Sequence, residues 1–235
     1  MPLKTARTSS LQGLFPIMGA NKRKKYWNVR SDKCILDLRK GEPAIGRNKE
    51  FDREQVLHKA MLVFWEKGFE AASIPDLLQA MGLSRSSLYE TFADKESLYL
   101  EAIELYKRRG LIKRSFVKNA ASAKDGIRQY FDRHIADALD EALPNSCLIT
   151  NATVGMDSPD ERVRAAIKDS FDGLEECFAD AIKRGQQTGE ISPDKDVKTM
   201  AILLLNLNHG INVVSKMKPD RQIYDDMIEA VLAML

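Results

Sequence analysis

Residues 73–95, SIPDLLQAMGLSRSSLYETFADK, constrain the fold more than any other stretch of the chain. Two short helical patterns lie there, each opened by a serine, with Gly82 between them. Ser73 followed by Asp76 has the spacing of a capping box, and Pro75 near a helix start costs little because its missing N–H would be unpaired there. Ile74, Leu77, Leu78 and Met81 recur at the helical period. Gly82 can take the left-handed conformation that ends a helix. Leu83 can then plug the corner, and Ser84 can cap a second helix with Leu88 and Phe92 inward. Two helices around a tight glycine turn describe a helix-turn-helix.

With the core positions removed, the second helix presents Arg85, Ser86, Ser87, Tyr89 and Glu90. Serine, arginine and tyrosine donate to phosphates, and arginine can read guanine edges in a major groove. The alternative is a solvated face on an ordinary helical hairpin. The flanks bear on that choice. Upstream, residues 52–68 carry Val56, Leu57, Ala60, Met61, Val63 and Phe64 on an amphipathic pattern, with Gly68 as its stop. Downstream, Asp94 caps another long helix, KESLYLEAIELYKRR.

The run AMLVFWEKGFEAASIPDLLQAMGLSRSSLYETFADKESLYLEAI resembles the TetR family of bacterial transcriptional repressors. The resemblance rests on the order helix, Gly-Phe, Ser-Ile, Gly-Leu-Ser, Leu-Tyr-x-x-Phe, Lys-Glu-x-Leu. It implies an all-α fold with a three-helix DNA-binding domain over 47–98 and a helical effector-binding and dimerisation domain over 99–235. It implies double-stranded operator DNA as partner, a homodimer, a small-molecule effector and no cofactor. The DNA-contact candidates are Ser73, Ser84, Arg85, Ser86, Ser87, Tyr89 and Lys95. Tyr89 and Lys95 match the family's phosphate-contacting positions, and Arg85 with the serines after it matches the base-reading ones.

Composition agrees. Hydrophobic residues make up 44% of the 235, enough for a sizeable core, and aromatics only 7%, as suits helices. No run approaches the roughly eighteen apolar residues of a membrane span, so no membrane partner is expected. Cys34, Cys147 and Cys177 have no metal spacing and leave one unpaired in any disulfide scheme, which points to a reducing, cytoplasmic setting. The histidines form no metal pattern either. No P-loop, G-x-S-x-G, H-E-x-x-H or CxxC occurs, so an enzyme is not expected. A DNA-binding or interaction protein without a small ligand stays open.

Charge is uneven. Residues 1–49 hold twelve Lys/Arg and three Asp/Glu, net +9, whereas 50–99 hold five and nine. A phosphate-binding surface usually leaves a basic footprint. Lys107, Arg108, Arg109, Lys113 and Arg114, or the basic N-terminal segment, are the candidates for supplying it. Residues 1–46 have no sustained period. They read as a disordered basic arm, a targeting peptide without a clear apolar region, or the product of a start codon placed upstream of the native one.

Beyond residue 111 the chain keeps a helical period. Candidate helices cover 124–143, stopped by Pro144, then 147–156, 160–189, 196–216 and 220–235. The resemblance places the effector among the middle helices. Inward candidates are Phe131, His134, Ile135, Leu148, Asn151, Phe171, Phe178, Leu204 and Asn208, each of which also serves as plain core. Cys147, in SCLITN, looks like the cysteine through which some members sense electrophiles or oxidants; the alternative is a small packed side chain. Cys177 reads as structural. The run 199–207 is apolar on nearly all sides, and burial against a second copy covers it simply. Ile202, Leu204, Leu205, Met227, Val231 and Leu232 are the expected dimer contacts.

Overall fold

The computed structural model describes residues 52–144, 147–154 and 160–235, and all regular structure among them is α-helical. The basic segment 1–46 and Cys34 lie outside the described residues.

Helix α1 (Arg53–Ala71) opens on Asp52, whose carboxylate accepts from the backbone N–H of Glu54 and Gln55. Its inner face buries Val56, Leu57, Ala60, Met61, Phe64 and Trp65. The regular helix ends at Gly68, which has φ +78°. Helix α2 (Ile74–Met81) starts with both halves of the capping box, Ser73 and Asp76. Gly82 closes it with φ +71°, and α3 (Arg85–Phe92) follows from the Ser84 cap. Leu77, Leu88 and Phe92 are buried beneath the pair. Each such side chain contributes about 1.5–3 kcal/mol relative to exposure, and a Ser or Asp cap about 0.5–2.

Helix α4 (Lys95–Asn119) is capped by Asp94 and runs well past the Arg109 end of the motif that signalled it. Its first half closes the α1–α3 core, where Tyr99 meets Phe64 and Phe69 with ring centroids 4.8 and 4.9 Å apart. That apolar cluster continues across residue 98 to Leu148, Ile149, Val163 and Ile167.

Helix α5 (Ala123–Ala138) stops short of Pro144. The Asp140 carboxylate takes the N–H of Ala142, and its carbonyl takes that of Leu143, so a local turn replaces the expected last helical turn. Helix α6 (Leu148–Val154) is short. Helix α7 (Glu161–Thr188) runs from the Asp160 cap to Gly189 at φ +75°. Helices α8 (Val197–Val214) and α9 (Arg221–Met234) have Asp196 and Asp220 as caps. The second cluster joins α5, α7, α8 and α9 around Phe131, Phe178 and Tyr224.

Two expectations are corrected. Leu204, Val231 and Leu232 are buried within the single chain, against α5 and α7 residues of that cluster. They belong to the core of the single chain, whereas the expectation placed them at a surface between two copies. In addition, α8 is long and apolar enough to cross a membrane by length and composition, contrary to the expectation that no run qualifies. It reaches that mark as an average: Asn206, Asn208, His209 and Asn212 interrupt its apolar residues, and one side packs on α7.

Candidate functional site

The helix-turn-helix places the DNA-contact candidates at the beginnings of three successive helices. Ser73 caps α2, Ser84 caps α3, and Lys95 is the first residue of α4. Arg85, Ser86, Tyr89 and Glu90 are exposed along α3, while Ser87 is half-buried. Arg85 makes no ion pair or side-chain hydrogen bond among the described residues. Tyr89 is 41% exposed. The Lys95 ammonium sits 4.4 Å from the Phe69 ring centroid, a cation–π contact that aims its stem along the α1 end.

The serines differ from one another. Ser73 Oγ accepts from Asp76 N–H at 3.2 Å and donates to Asp76 Oδ2 at 2.7 Å, so its hydroxyl is fully used as a cap. Asp76 is in turn ion-paired to Lys67 at 2.7 Å. That hydrogen bond from Lys67, with those from Ser73, lowers the Asp76 carboxyl to about 2. The pair ties α1 to α2. Ser84 Oγ accepts from Ser87 N–H and lies 2.9 Å from both Ser86 Oγ and Ser87 Oγ. Three hydroxyls therefore cluster at the first turn of α3, beside Arg85.

The basic cluster on α4 does not supply a free positive surface, contrary to expectation. Lys107 pairs with Glu104 and Asp169, and Lys113 with Asp137. Arg114 donates to the Ser170 carbonyl, and Arg109 lies 5.9 Å from the Trp65 ring centroid. Of the five, only Arg108 is exposed.

The effector candidates separate into three groups. Phe131, Ile135 and Phe178 are core: Phe131 and Phe178 stack with centroids 5.7 Å apart. Leu204 joins them. Leu148 and Asn151 line a cavity of about 550 Å³ beside the end of α1, with Trp65, Phe69, Tyr99 and Val163. His134 and Asn208 line a smaller cavity of about 60 Å³ between α4, α5, α7 and α8, and Cys147 lies on the same wall. Phe171 stacks on His209 at 4.2 Å, and His209 also lines that smaller space.

Hydrogen bonds define the small cavity. His134 Nε2 lies 2.9 Å from the Asn208 carbonyl, and Tyr130 donates to Asn208 Oδ1 at 3.0 Å. His209 Nδ1 is 2.9 Å from Thr150 Oγ1, which accepts from Asn212 Nδ2 at 3.2 Å. His134 Nδ1 and His209 Nε2 are buried without a hydrogen-bond partner. Burial holds His134 well below the usual imidazole range and His209 at about 4. Tyr106 bonds to Cys147 and to the backbone of Leu148, and burial raises its hydroxyl far above the usual phenol range. Cys177 is buried, with Sγ 3.9 Å from the Arg114 carbonyl, in line with a structural role.

His209, Thr150, Tyr106 and Tyr130 were not singled out from sequence as cavity residues. The available signal is that Asn208, His209 and Asn212 interrupt an otherwise apolar helix, where a polar side chain needs a partner. Ile202 is 36% exposed, and Leu205 and Met227 are half-buried, so these three of the six expected dimer contacts remain at the surface.

Comparison with known proteins agrees with this architecture. Residues 56–102 match the family of bacterial regulatory proteins of the TetR type, and residues 123–231 match the tetracyclin repressor-like C-terminal domain. The chain is 30% identical over 195 residues to the uncharacterized HTH-type transcriptional regulator YezE of Bacillus subtilis, covering 81% of this chain and 100% of that protein. It is 29% identical over 190 residues to the HTH-type transcriptional repressor ComR of Escherichia coli, covering 79% and 87%. Among solved structures, a cysteine mutant of the TetR family regulator CifR complexed with 26-bp double-strand operator DNA superposes with a TM-score of 0.73. It shares 29% identity, covering 80% of this chain and 98% of that one. The helix-turn-helix of α2 and α3, the all-helical body behind it and these likenesses together place the chain in the TetR family of DNA-binding transcriptional regulators.

Proposed function

We propose that this regulator is a homodimeric repressor that holds a palindromic operator through α3 and lets go when a small molecule enters the helical body. The observation that carries the reading is the position of α6. One side of it, through Ile149 with neighbouring Cys147, walls the small cavity. On its other side, Asn151 Nδ2 donates to the Trp65 carbonyl of α1 at 3.5 Å. A ligand that displaces α6 therefore pulls on the helix that supports the helix-turn-helix. About 1–3 kcal/mol of such coupling changes operator affinity some 5–150-fold.

Residues 47–98 are the DNA-binding part on this reading and 99–235 the effector and dimer part. Arg85 reads bases; Tyr89 and Lys95 hold phosphates; Ser84, Ser86 and Ser87 add hydroxyl contacts at the first turn of α3. Two copies are needed because one recognition helix reads few base pairs, whereas two about 34–36 Å apart read both halves of a palindrome. The protein works in the cytoplasm, where its DNA is. An electrophilic effector would find Cys147 at the cavity wall. The narrowness of that cavity favours one rival, a regulator that binds DNA without any small ligand.

The test is an operator titration over a range of salt, with and without candidate metabolites, beside sedimentation of the protein. Dimeric, salt-dependent binding that a metabolite weakens supports the reading. A monomer, or affinity unmoved by any metabolite tried across the neighbouring genes' chemistry, counts against it.

A further inference from the structure

Helix α1 breaks before its last residues. Gly68 has φ +78° and ψ +169°, a backbone conformation essentially confined to glycine. The break falls between two residues that reach other helices. Lys67, before it, pairs with Asp76 of α2 at 2.7 Å. Phe69, after it, sets its ring against the first turn of α4. The ring centroid lies 4.9 Å from that of Tyr99 and 4.4 Å from the Lys95 ammonium. Phe64 stacks on the same ring, with centroids 6.2 Å apart.

Lys95 is the first residue of α4, at the positive end of the helix dipole, where a cation is disfavoured and an anion is stabilised. Neighbouring cations are held by carboxylates. Arg53 pairs with Glu101, Lys107 with Glu104 and Asp169, and Lys113 with Asp137, as Lys67 does with Asp76. Each carboxylate cancels the charge it holds. A ring face attracts an ammonium through its quadrupole and leaves the charge in place. Lys95 has no ion pair or hydrogen bond among the described residues. Its charge stays open to an anion while its long stem is already placed. Ordering a free lysine on binding costs rotamer entropy, so a lysine placed beforehand binds a phosphate at lower cost.

We infer that Phe69 is a positioning residue for DNA binding: its ring, carried just past the Gly68 break, holds the Lys95 ammonium uncancelled for a backbone phosphate. The inference rests on the reading of Lys95 as a phosphate contact, and adds the residue that places it.

The test is a double-mutant cycle on the full-length protein, read by anisotropy on a fluorescent duplex of mixed sequence over about 50–200 mM salt. Phe69→Leu keeps apolar bulk and removes the π face. It should weaken binding about two- to fivefold per protomer and leave the salt slope unchanged, because the charge remains. Phe69→Tyr should bind like the wild type. Lys95→Met should weaken binding and reduce the slope by about one unit, and adding Phe69→Leu to it should do nothing further. Should Phe69→Leu fail to fold, NMR of the wild type decides. The ring current of Phe69 should move the Lys95 ε-methylene signal upfield of other lysines, both free and on DNA. An ordinary position in either state overturns the inference. No loss from Phe69→Leu, an equal loss in both backgrounds, or no rescue by Phe69→Tyr also overturns it, and leaves Lys95 as a phosphate contact. Unchanged affinity and slope for Lys95→Met overturns the phosphate reading and the inference with it.

Discussion

His134 of α5 gives its Nε2 proton to the backbone carbonyl of Asn208 on α8, across 2.9 Å, and so fixes both its own tautomer and the spacing of the two helices. Asn208 is held from the other side by the Tyr130 hydroxyl.

The pH dependence of stability follows from this arrangement. Burial depresses His134, and holds His209 at about 4, against about 6.5 in an unfolded chain. Below 6.5 the unfolded state binds protons that the folded state refuses, so stability falls with falling pH. The contribution is fully present above 6.5 and is lost down through about 4 for His209, further for His134. Each histidine adds a slope of at most about 1.4 kcal/mol per pH unit. Urea titrations between pH 7 and pH 4 read this slope. His209→Phe should flatten it, and an unchanged slope would remove His209 as a source.

Gly82 sits at φ +71° with nothing within 4 Å of where a side chain would begin. Gly82→Ala therefore tests backbone strain alone and should cost about 1–2 kcal/mol. Gly82→Asn should cost less, because asparagine tolerates the left-handed region. Equal melting temperatures for all three proteins would contradict the turn geometry.

On the proposed dimer reading, the association surface is the outer stripes of α8 and α9. Ile202 and Val213 on α8, and Ile223 and Met234 on α9, are 36%, 52%, 45% and 52% exposed, with Leu205 and Met227 half-buried on the same faces. Such apolar stripes mark an association surface. Ile202→Glu or Met227→Lys should leave a folded monomer. Leu204→Glu or Leu232→Glu should unfold the chain, because these side chains are core. Sedimentation and circular dichroism on the four variants decide; a dimer that survives both surface charges would place the interface elsewhere.

The caps and turns were legible because each is a local device: Ser73 with Asp76, Ser84, Asp94 and the glycines 82 and 189 all act within a few residues. Helices α8 and α9 show where that legibility ends. A helix that is apolar nearly all round has no phase, so nothing local separates buried Leu204 from exposed Ile202. The end of α5 failed for a related reason, since Asp140 competes for backbone N–H groups that Pro144 does not touch. The small cavity is non-local altogether. It needs α4, α5, α7 and α8 in place before His209, Tyr130 and Cys147 share a wall, and only the polar interruptions in α8 hinted at it. The basic cluster on α4 read as surface because its partners, Asp137 and Asp169, lie on other helices.

Arg85 and Lys95 should behave differently on DNA. Arg85→Ala should lower specific affinity by about 1–3 kcal/mol and leave random-DNA binding closer to intact. Lys95→Ala should weaken both and reduce the salt slope by about one unit. Anisotropy titrations on specific and scrambled duplexes separate the two, and equal losses for Arg85→Ala would make it a phosphate contact.

Selection of the purified protein on random double-stranded DNA asks whether α3 reads sequence at all. The wild type should enrich one two-fold symmetric site whose halves lie about 34–36 Å apart or a multiple of that, and Arg85→Ala should lose bases in both halves alike. Recovery of no common sequence, or of a single unpaired half-site bound as tightly by wild type as any palindrome, would contradict a paired recognition helix as the basis of function.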